Sequence, residues 1–320
     1  MGIRYAFSEI RKHGTDLQWW RKRFLTHVVS RYYRLLSPNT DPLVEQDWDN
    51  VLLLDACRYD LFEDVLSEHP IHGSLEKRRS LGSATPEYIR KNFQGNQFHN
   101  TVYVTANPYV NTKLPDDTFH HVVPVWQDQW DDELKTVPPE AMRDAALQAA
   151  ERFPNKRMIV HFNQPHVPFI GDIRLDGRKV SAIREEALGN ERPDPRDRIP
   201  TPFDQLAAGE RSHEEVYNAY RSNLVRAVPV VNKLLESLNG LTAVTADHGN
   251  AFGERARPFP IKVFGHPMGI LIPALTEVPW HTYQNGDRKR IVAEQPTQES
   301  SRDVVSKNVE SRLRQLGYAD

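Results

Sequence analysis

The 320-residue chain holds a single cysteine, Cys57, which excludes an internal disulfide framework and any Cys-rich zinc module. No stretch reaches the ~18 apolar residues needed to cross a bilayer. No apolar segment with a small-residue cleavage site opens the chain, so a secretory leader is not expected. An excess of one charge is also missing. The 41 Lys and Arg stand against 43 Asp and Glu, a net charge of −2, so no whole-molecule field draws the chain to nucleic acid. Internal repeats and low-complexity tracts are absent. What is there is an apolar fraction of 39% and a charged fraction of 26%, enough for a large core and too apolar for global disorder. The expectation is one large α/β domain with decorations, reduced and cytoplasmic.

The first 47 residues differ from the rest. From Leu17 to Ser37 there is no acidic residue, while Arg21, Lys22, Arg23, Arg31 and Arg34 are present. Trp20, Phe24, Val28, Tyr32 and Leu35 recur at helical spacing, and the Ser37-Pro38 step predicts the helix end. Two readings stand: an amphipathic helix packed on the domain, or a helix at the inner face of an anionic membrane, a peripheral contact through residues 17–37. Met1-Gly2 does not make a myristoylation site, because Ala6 sits where Ser or Thr would be wanted.

From Val51 short continuous apolar runs take over, as expected of strands buried on both faces: Val51–Asp55, Thr101–Thr105, Met158–Phe162, Leu241–Thr245 and Gly269–Ile272. Helical segments alternate with them at Pro86–Phe93, Pro139–Arg152 and His213–Leu238, where Pro229 predicts a kink or break. Such alternation argues for an α/β fold with a mostly parallel central sheet and helices on both faces, a three-layer α/β/α arrangement. Residues 172–212 are charged, Pro-rich and aperiodic, read as an inserted loop or lid. His281–Ser301 reads as an extended crossing, and Asp303–Leu316 as a last helix stopped by Gly317. The divisions are thus 1–47, a catalytic domain at 48–280, and 281–320 as its C-terminal crossing and helix.

In open α/β sheets ligands bind beyond the carboxyl ends of the strands. Asp55 ends the first run and leads into Cys57-Arg58-Tyr59-Asp60; the Met158 run carries His161 and continues to Pro165-His166-Val167-Pro168. The Leu241 run ends in Asp247-His248-Gly249-Asn250, and Gly265-His266-Pro267 precedes the last run. Singly these are ordinary caps or core histidines. Together Asp55, Asp247 and His248 supply the oxygen and nitrogen donors of a divalent cation, Mn, Ca, Mg or Zn. A nucleophile is found at Ser80-Leu81-Gly82-Ser83-Ala84-Thr85-Pro86-Glu87, a helix start whose N-terminus also suits an anionic ester. Ser83 and Thr85 compete for the role, with Ser83 favoured.

These segments resemble the alkaline phosphatase superfamily in its sulfatase and phosphoglycerol-transferase branch. VLLLDACRYD is similar to that branch's opening Asp-x-x-Arg-x-Asp, HFNQPHVPF to its Pro-His-x-Pro element, and VTADHGNAFGE to its Asp-His-Gly strand end. HEEVYNAYRSNLVRAV and VESRLRQLGYAD resemble its Tyr-rich helix and last helix. The resemblance implies an alkaline phosphatase-like fold with Asp55, Asp247 and His248 as metal ligands and Ser83 as nucleophile and fourth ligand. It implies His166 on the substrate's non-bridging oxygens, His266 as a further ligand or leaving-group acid, and Arg58 facing the anion or pairing with Asp60. Cys57 lacks the Cys/Ser-x-Pro-x-Arg context of formylglycine. Pro86 follows Ser83 by three residues rather than two, and Glu87 replaces the Arg, so an unmodified hydroxyl is expected. The expected activity is sulfatase-like or phosphatase-like hydrolysis or transfer of an anionic ester, on a glycan or lipid-linked substrate, with one metal. The alternatives are a two-metal phosphodiesterase or mutase, and an inactive glycan- or protein-binding member.

Overall fold

The computed structural model describes residues 10, 11, 13–36, 40–175, 184, 185, 187–189 and 200–296. Its strands are β1 (Asn50–Asp55), β2 (Ser74–Arg79), β3 (Phe98–Thr105), β4 (Phe119–Pro124), β5 (Arg157–Pro165), β6 (Gly240–Ala246), β7 (Ala251–Arg255), β8 (Lys262–Gly265) and β9 (Glu277–Asn285). The first helix, α1, consists of Leu17–Phe24, a π-helical turn Leu25–Val29, and Ser30–Leu35. There follow α2 (Tyr59–Glu68), α3 (Thr85–Phe93), α4 (Tyr109–Lys113), α5 (Val125–Asp128), α6 (Pro139–Arg152), α7 (Pro202–Ala208), α8 (His213–Ser237) and α9 (Pro273–Thr276).

Seven strands form one sheet in the order β2-β9-β6-β1-β5-β3-β4, and β7 and β8 form a separate ribbon. Within the large sheet β9 pairs antiparallel with β6 and β2, and all other pairings are parallel. The fold is therefore mixed but mostly parallel. β1 is buried along its whole length, which is why its sequence runs apolar without alternation. Leu52 and Leu54 point into a core closed by Phe62 and Val65 of α2, Met142 and Ala146 of α6, and Leu224 and Leu234 of α8. Val51 and Leu53 point the other way, against Tyr88, Ile89 and Phe93 of α3 and Val110 of α4. Period-two geometry thus sends alternate residues to two helical layers, giving three layers in all.

Several sequence expectations need correction. Gly269–Ile272 is no strand: Ile270 and Ile272 are buried beneath α1 in a third apolar cluster, and a short apolar run carries no period to tell these cases apart. His281–Asn285, read as crossing, completes β9, and among the described residues of that stretch 286–296 runs without regular structure. α8 passes through Pro229 as a continuous helix rather than breaking there. Part of the 172–212 segment is ordered as α7, started by a Thr201–Asp204 capping box. Residues 176–183, 186 and 190–199 of that segment, the Ser37-Pro38 step and the Asp303–Leu316 helix lie outside the described residues. On α1 the buried row is Leu25, Val29 and Tyr33, while Trp20, Phe24, Val28 and Leu35 face outward.

Candidate metal centre

The parallel strands β6, β1, β5 and β3 are neighbours, so their carboxyl ends deliver side chains to one place. Leu54 of β1 stands opposite Ala246 of β6, and the next residues are Asp55 and Asp247. Asp247 Oδ1 accepts the N–H groups of Ala56 at 3.0 Å and His248 at 2.9 Å, which fixes the carboxylate. Its Oδ2 is buried without a hydrogen-bond partner. Asp55 Oδ2 accepts from Asn107 Nδ2 at 3.2 Å. His248 Nδ1 donates to the Gly249 carbonyl at 2.8 Å, so its Nε2 presents a lone pair, 3.6 Å from Asp55 Oδ1 and 3.4 Å from Asp247 Oδ2. Thr85 Oγ1 closes the group at 3.5 Å from Asp55 Oδ1 and 3.3 Å from His248 Nε2.

Residues that present these groups are held by backbone constraints. Ala56 takes the left-handed conformation, φ 62°, which a non-glycine residue enters at a cost. It is fixed there from both sides, its N–H by Asp247 and its carbonyl by the Tyr220 hydroxyl of α8. Gly249 has a steric reason: a Cβ there would lie 2.2 Å from the Ala274 carbonyl oxygen. The Asp-His-Gly strand end therefore needs its glycine to pass beneath α9.

The donors fit a cation. Ligand atoms 2.0–2.2 Å from a tetrahedrally held ion stand about 3.3–3.6 Å apart. Four of the six separations among Asp55, Thr85, Asp247 and His248 are 3.3, 3.4, 3.5 and 3.6 Å. Asp55, His161 and Asp247 likewise offer ligand atoms within 4.8 Å of one another. His161 Nε2 is buried without a hydrogen-bond partner, 3.9 Å from Asp247 Oδ2, and its Nδ1 is bonded to the Tyr103 hydroxyl at 3.0 Å. Burial pushes that imidazole down to about 4, so it is neutral and able to ligate at ordinary pH. Sequence reading noted His161 on its strand but gave it no role, and missed Asn107 altogether. The polar-residue-at-strand-end rule, applied to β3, would have found Asn107.

The other expected residues divide. Ser83 turns away from the donors: its Oγ lies 3.0 Å from Glu87 Oε2 and 3.1 Å from the Pro267 carbonyl, and accepts the N–H groups of Gly269 and Ile270. Thr85, the first residue of α3, faces them. Arg58 gives its donors to Asp60, Glu254 and the Asn250 carbonyl, and does not line the cleft at Thr85. Burial would lower its guanidinium, but the two carboxylates outweigh this and raise it. Cys57 is wholly buried, which pushes its thiol well up. His166 donates from Nδ1 to the Val167 carbonyl at 2.6 Å, and its Nε2 lies 3.0 Å from His266 Nε2. The His266 ring stacks on His248 with centroids 4.6 Å apart. Asn223 of α8 steadies this loop, donating to the carbonyls of Pro165, His166 and Pro168 and accepting the Ile170 N–H. Asp55, Thr85, Asn107, His166 and His266 border a cleft of ≈ 230 Å³.

Fold and site together define an α/β protein with a buried acidic and imidazole centre able to hold a metal. No family model matches the chain, and no curated protein does. Among solved structures it is similar to the soluble domain of lipooligosaccharide phosphoethanolamine transferase A from Neisseria meningitidis, at 12% identity over 76% of this chain and 78% of that one, TM-score 0.44. It is similar to BT4656 in complex with its substrate D-glucosamine-2-N,6-O-disulfate, at 11% identity over 77% and 72%, TM-score 0.46. It is also similar to a protein in the alkaline phosphatase superfamily from Vibrio parahaemolyticus, at 13% identity over 84% and 70%, TM-score 0.38.

Proposed function

We propose that the protein is a metal-dependent enzyme that cleaves or transfers a phosphate or sulfate ester, with Thr85 as nucleophile. The observation that carries this is Thr85 Oγ1 at 3.3 Å from His248 Nε2 and 3.5 Å from Asp55 Oδ1, with His248 Nε2 itself 3.4 Å from Asp247 Oδ2, a hydroxyl within a cation's ligand set. Asp55, Asp247, His248 and Thr85 would hold one divalent ion, zinc being the ion whose usual geometry suits those separations. When bound, such an ion supplies charge that lowers the pKa of a hydroxyl and neutralises an anion. Thr85 Oγ, its proton released to solvent, attacks phosphorus or sulfur to form an Oγ ester, and the bond to the departing oxygen breaks on the opposite side. With an added proton on each ring taken from solvent, His166 would donate from Nε2 to a non-bridging oxygen, and His266 would pass its Nε2 proton to the departing oxygen. The start of α3, with no side chain capping it, adds its dipole at the anion. Water or a second alcohol then takes the group from Thr85, and the cleft's walls decide which.

A two-ion reading has its own observation in the unpartnered Nε2 of buried His161, beside carboxylates that both sets of donors would share. Elemental analysis of the purified protein separates the two by stoichiometry. Protein stripped and reloaded with zinc, manganese, magnesium or calcium is then assayed on p-nitrophenyl phosphate, its bis-ester and p-nitrophenyl sulfate. Turnover of at least one ester, dependent on the restored metal, is expected. Silence on all three with every metal overturns the reading.

A further inference from the structure

We propose that the outer face of α1 docks on an anionic lipid bilayer beside the mouth of the candidate site. A surface helix of a globular protein needs one apolar face; α1 has two. Leu25, Val29 and Tyr33 pack against Val263, Ile270 and Leu275 in the third apolar cluster. A second row, Leu17, Trp20, Phe24, Val28 and Leu35, stays open to solvent, with exposures of 83%, 43%, 38%, 43% and 86%. Of the ten large hydrophobic residues exposed among the described residues, seven fall within 10–36, so the exposure is concentrated rather than scattered.

The charge on this element selects the occupant. Leu17–Ser37 carries five Lys and Arg and no acid in a chain of net charge −2. Arg31 and Arg34 are exposed on it. A second copy of the chain would bring a like-charged face against this one, whereas an anionic bilayer offers opposite charge together with an apolar interior. The inner side of the helix is clamped: Lys22 pairs with Asp204 at 3.0 Å, Gln18 Nε2 donates to the Ala207 carbonyl, and the Tyr33 hydroxyl donates to the Arg257 carbonyl at 2.7 Å. The outer row is thus presented by a fixed helix, as a docking element requires. Arg21, Lys22, Leu25 and Thr26 line a cleft of ≈ 320 Å³ that reaches His166 and His266. Met268, 56% exposed, stands on its rim. On the ester-cleaving reading above, this cleft adjoins the one bordered by Thr85, with which it shares His166 and His266.

Docking is read without turnover, so it stands or falls apart from the chemistry. The full chain is floated with phosphatidylcholine vesicles with or without phosphatidylglycerol. Flotation with the anionic vesicles alone is expected, weakened by salt. Replacing Arg31 and Arg34 by Ala, both exposed, should cut the apparent affinity roughly 20–30-fold at about fivefold per cation. Val28→Glu should abolish flotation, and melting curves of all variants should match the parent. No flotation by the parent chain, equal flotation with neutral vesicles, or full affinity in both variants overturns the proposal. So does a dimer in light scattering that Trp20→Ala dissolves while flotation persists.

Discussion

Replacing Thr85 by Ala separates the chemistry from the scaffold. Thr85 Oγ1 is the hydroxyl that stands 3.3 Å from His248 Nε2 and 3.5 Å from Asp55 Oδ1. Ser83, two residues away, has its hydroxyl bonded between Glu87 and the 267–270 loop. Loss of a nucleophile in an enzyme of covalent type costs on the order of 10⁴–10⁶ in kcat, and 10⁴ corresponds to about 5.5 kcal/mol of barrier. Thr85→Ala should fall in that range, with a melting temperature close to the parent's when both are compared metal-free, since the residue makes no capping bond. Thr85→Ser, which keeps the oxygen, should stay within roughly tenfold of the parent. Ser83→Ala should behave inversely. The Ile270 N–H loses its acceptor and the Gly269 N–H keeps only Glu87, a cost of about 1–3 kcal/mol with kcat retained. Paired measurements of kcat and thermal midpoint on the three variants, using the best ester substrate, decide it. If Thr85→Ala keeps full kcat while Ser83→Ala abolishes it at unchanged stability, the assignment of roles is refuted.

Other outcomes follow from the same geometry. Asn223→Ala removes one side chain that satisfies three carbonyls and one N–H around His166; an unfolding free energy lower by about 2–4 kcal/mol is expected, with a fall in kcat/KM. Gly249→Ala forces a methyl against the Ala274 carbonyl and should destabilise by about 1–3 kcal/mol in denaturant titration, with loss of bound metal. Chelation should lower the thermal midpoint, and readdition of ion at a hundredfold over its Kd should restore about 2.7 kcal/mol; an unchanged midpoint would count against a resident ion. Burial alone would raise the Asp204 carboxyl, but Lys22 and Thr201 outweigh it and hold it at about 2, against an ordinary 3.8. Its contribution is complete above 3.8 and is lost as pH falls toward 2, so Asp204→Asn should flatten that part of an acid-unfolding curve.

What the sequence made legible depended on how each segment meets water. β1 was readable because both its faces are covered, and α6 and α8 because a single apolar stripe repeats along each. β2, Ser-Leu-Glu-Lys-Arg-Arg, was not, because an exposed edge strand is recognised by its pairing with β9 and needs no apolar alternation. β9, paired on both sides, was missed for another reason: Pro279 and its polar second half leave no continuous apolar run to mark a buried strand. α1 offered two apolar rows, and sequence alone does not say which one a domain will cover. The donors Asp55, Asp247 and His248 stood out because each lies at a strand end, and the parallel neighbours β1 and β6 bring them together. Ser83 and Thr85 share one helix start, and only the path of the loop decides which hydroxyl points inward. His161 lies within a strand rather than at its end, so position gave no hint of the donors beside it.

Tyr220 and Asn223 project from successive turns of α8, three residues apart and so on one side of it. One grips the bend after β1, the other the segment bearing His166. Any shift of that long rod drags the carboxylate shelf and the imidazole wall together, so the two halves of the centre move as a unit. Changes on the solvent side of α8, well away from the cleft, should therefore tune reactivity by displacing the pair in concert.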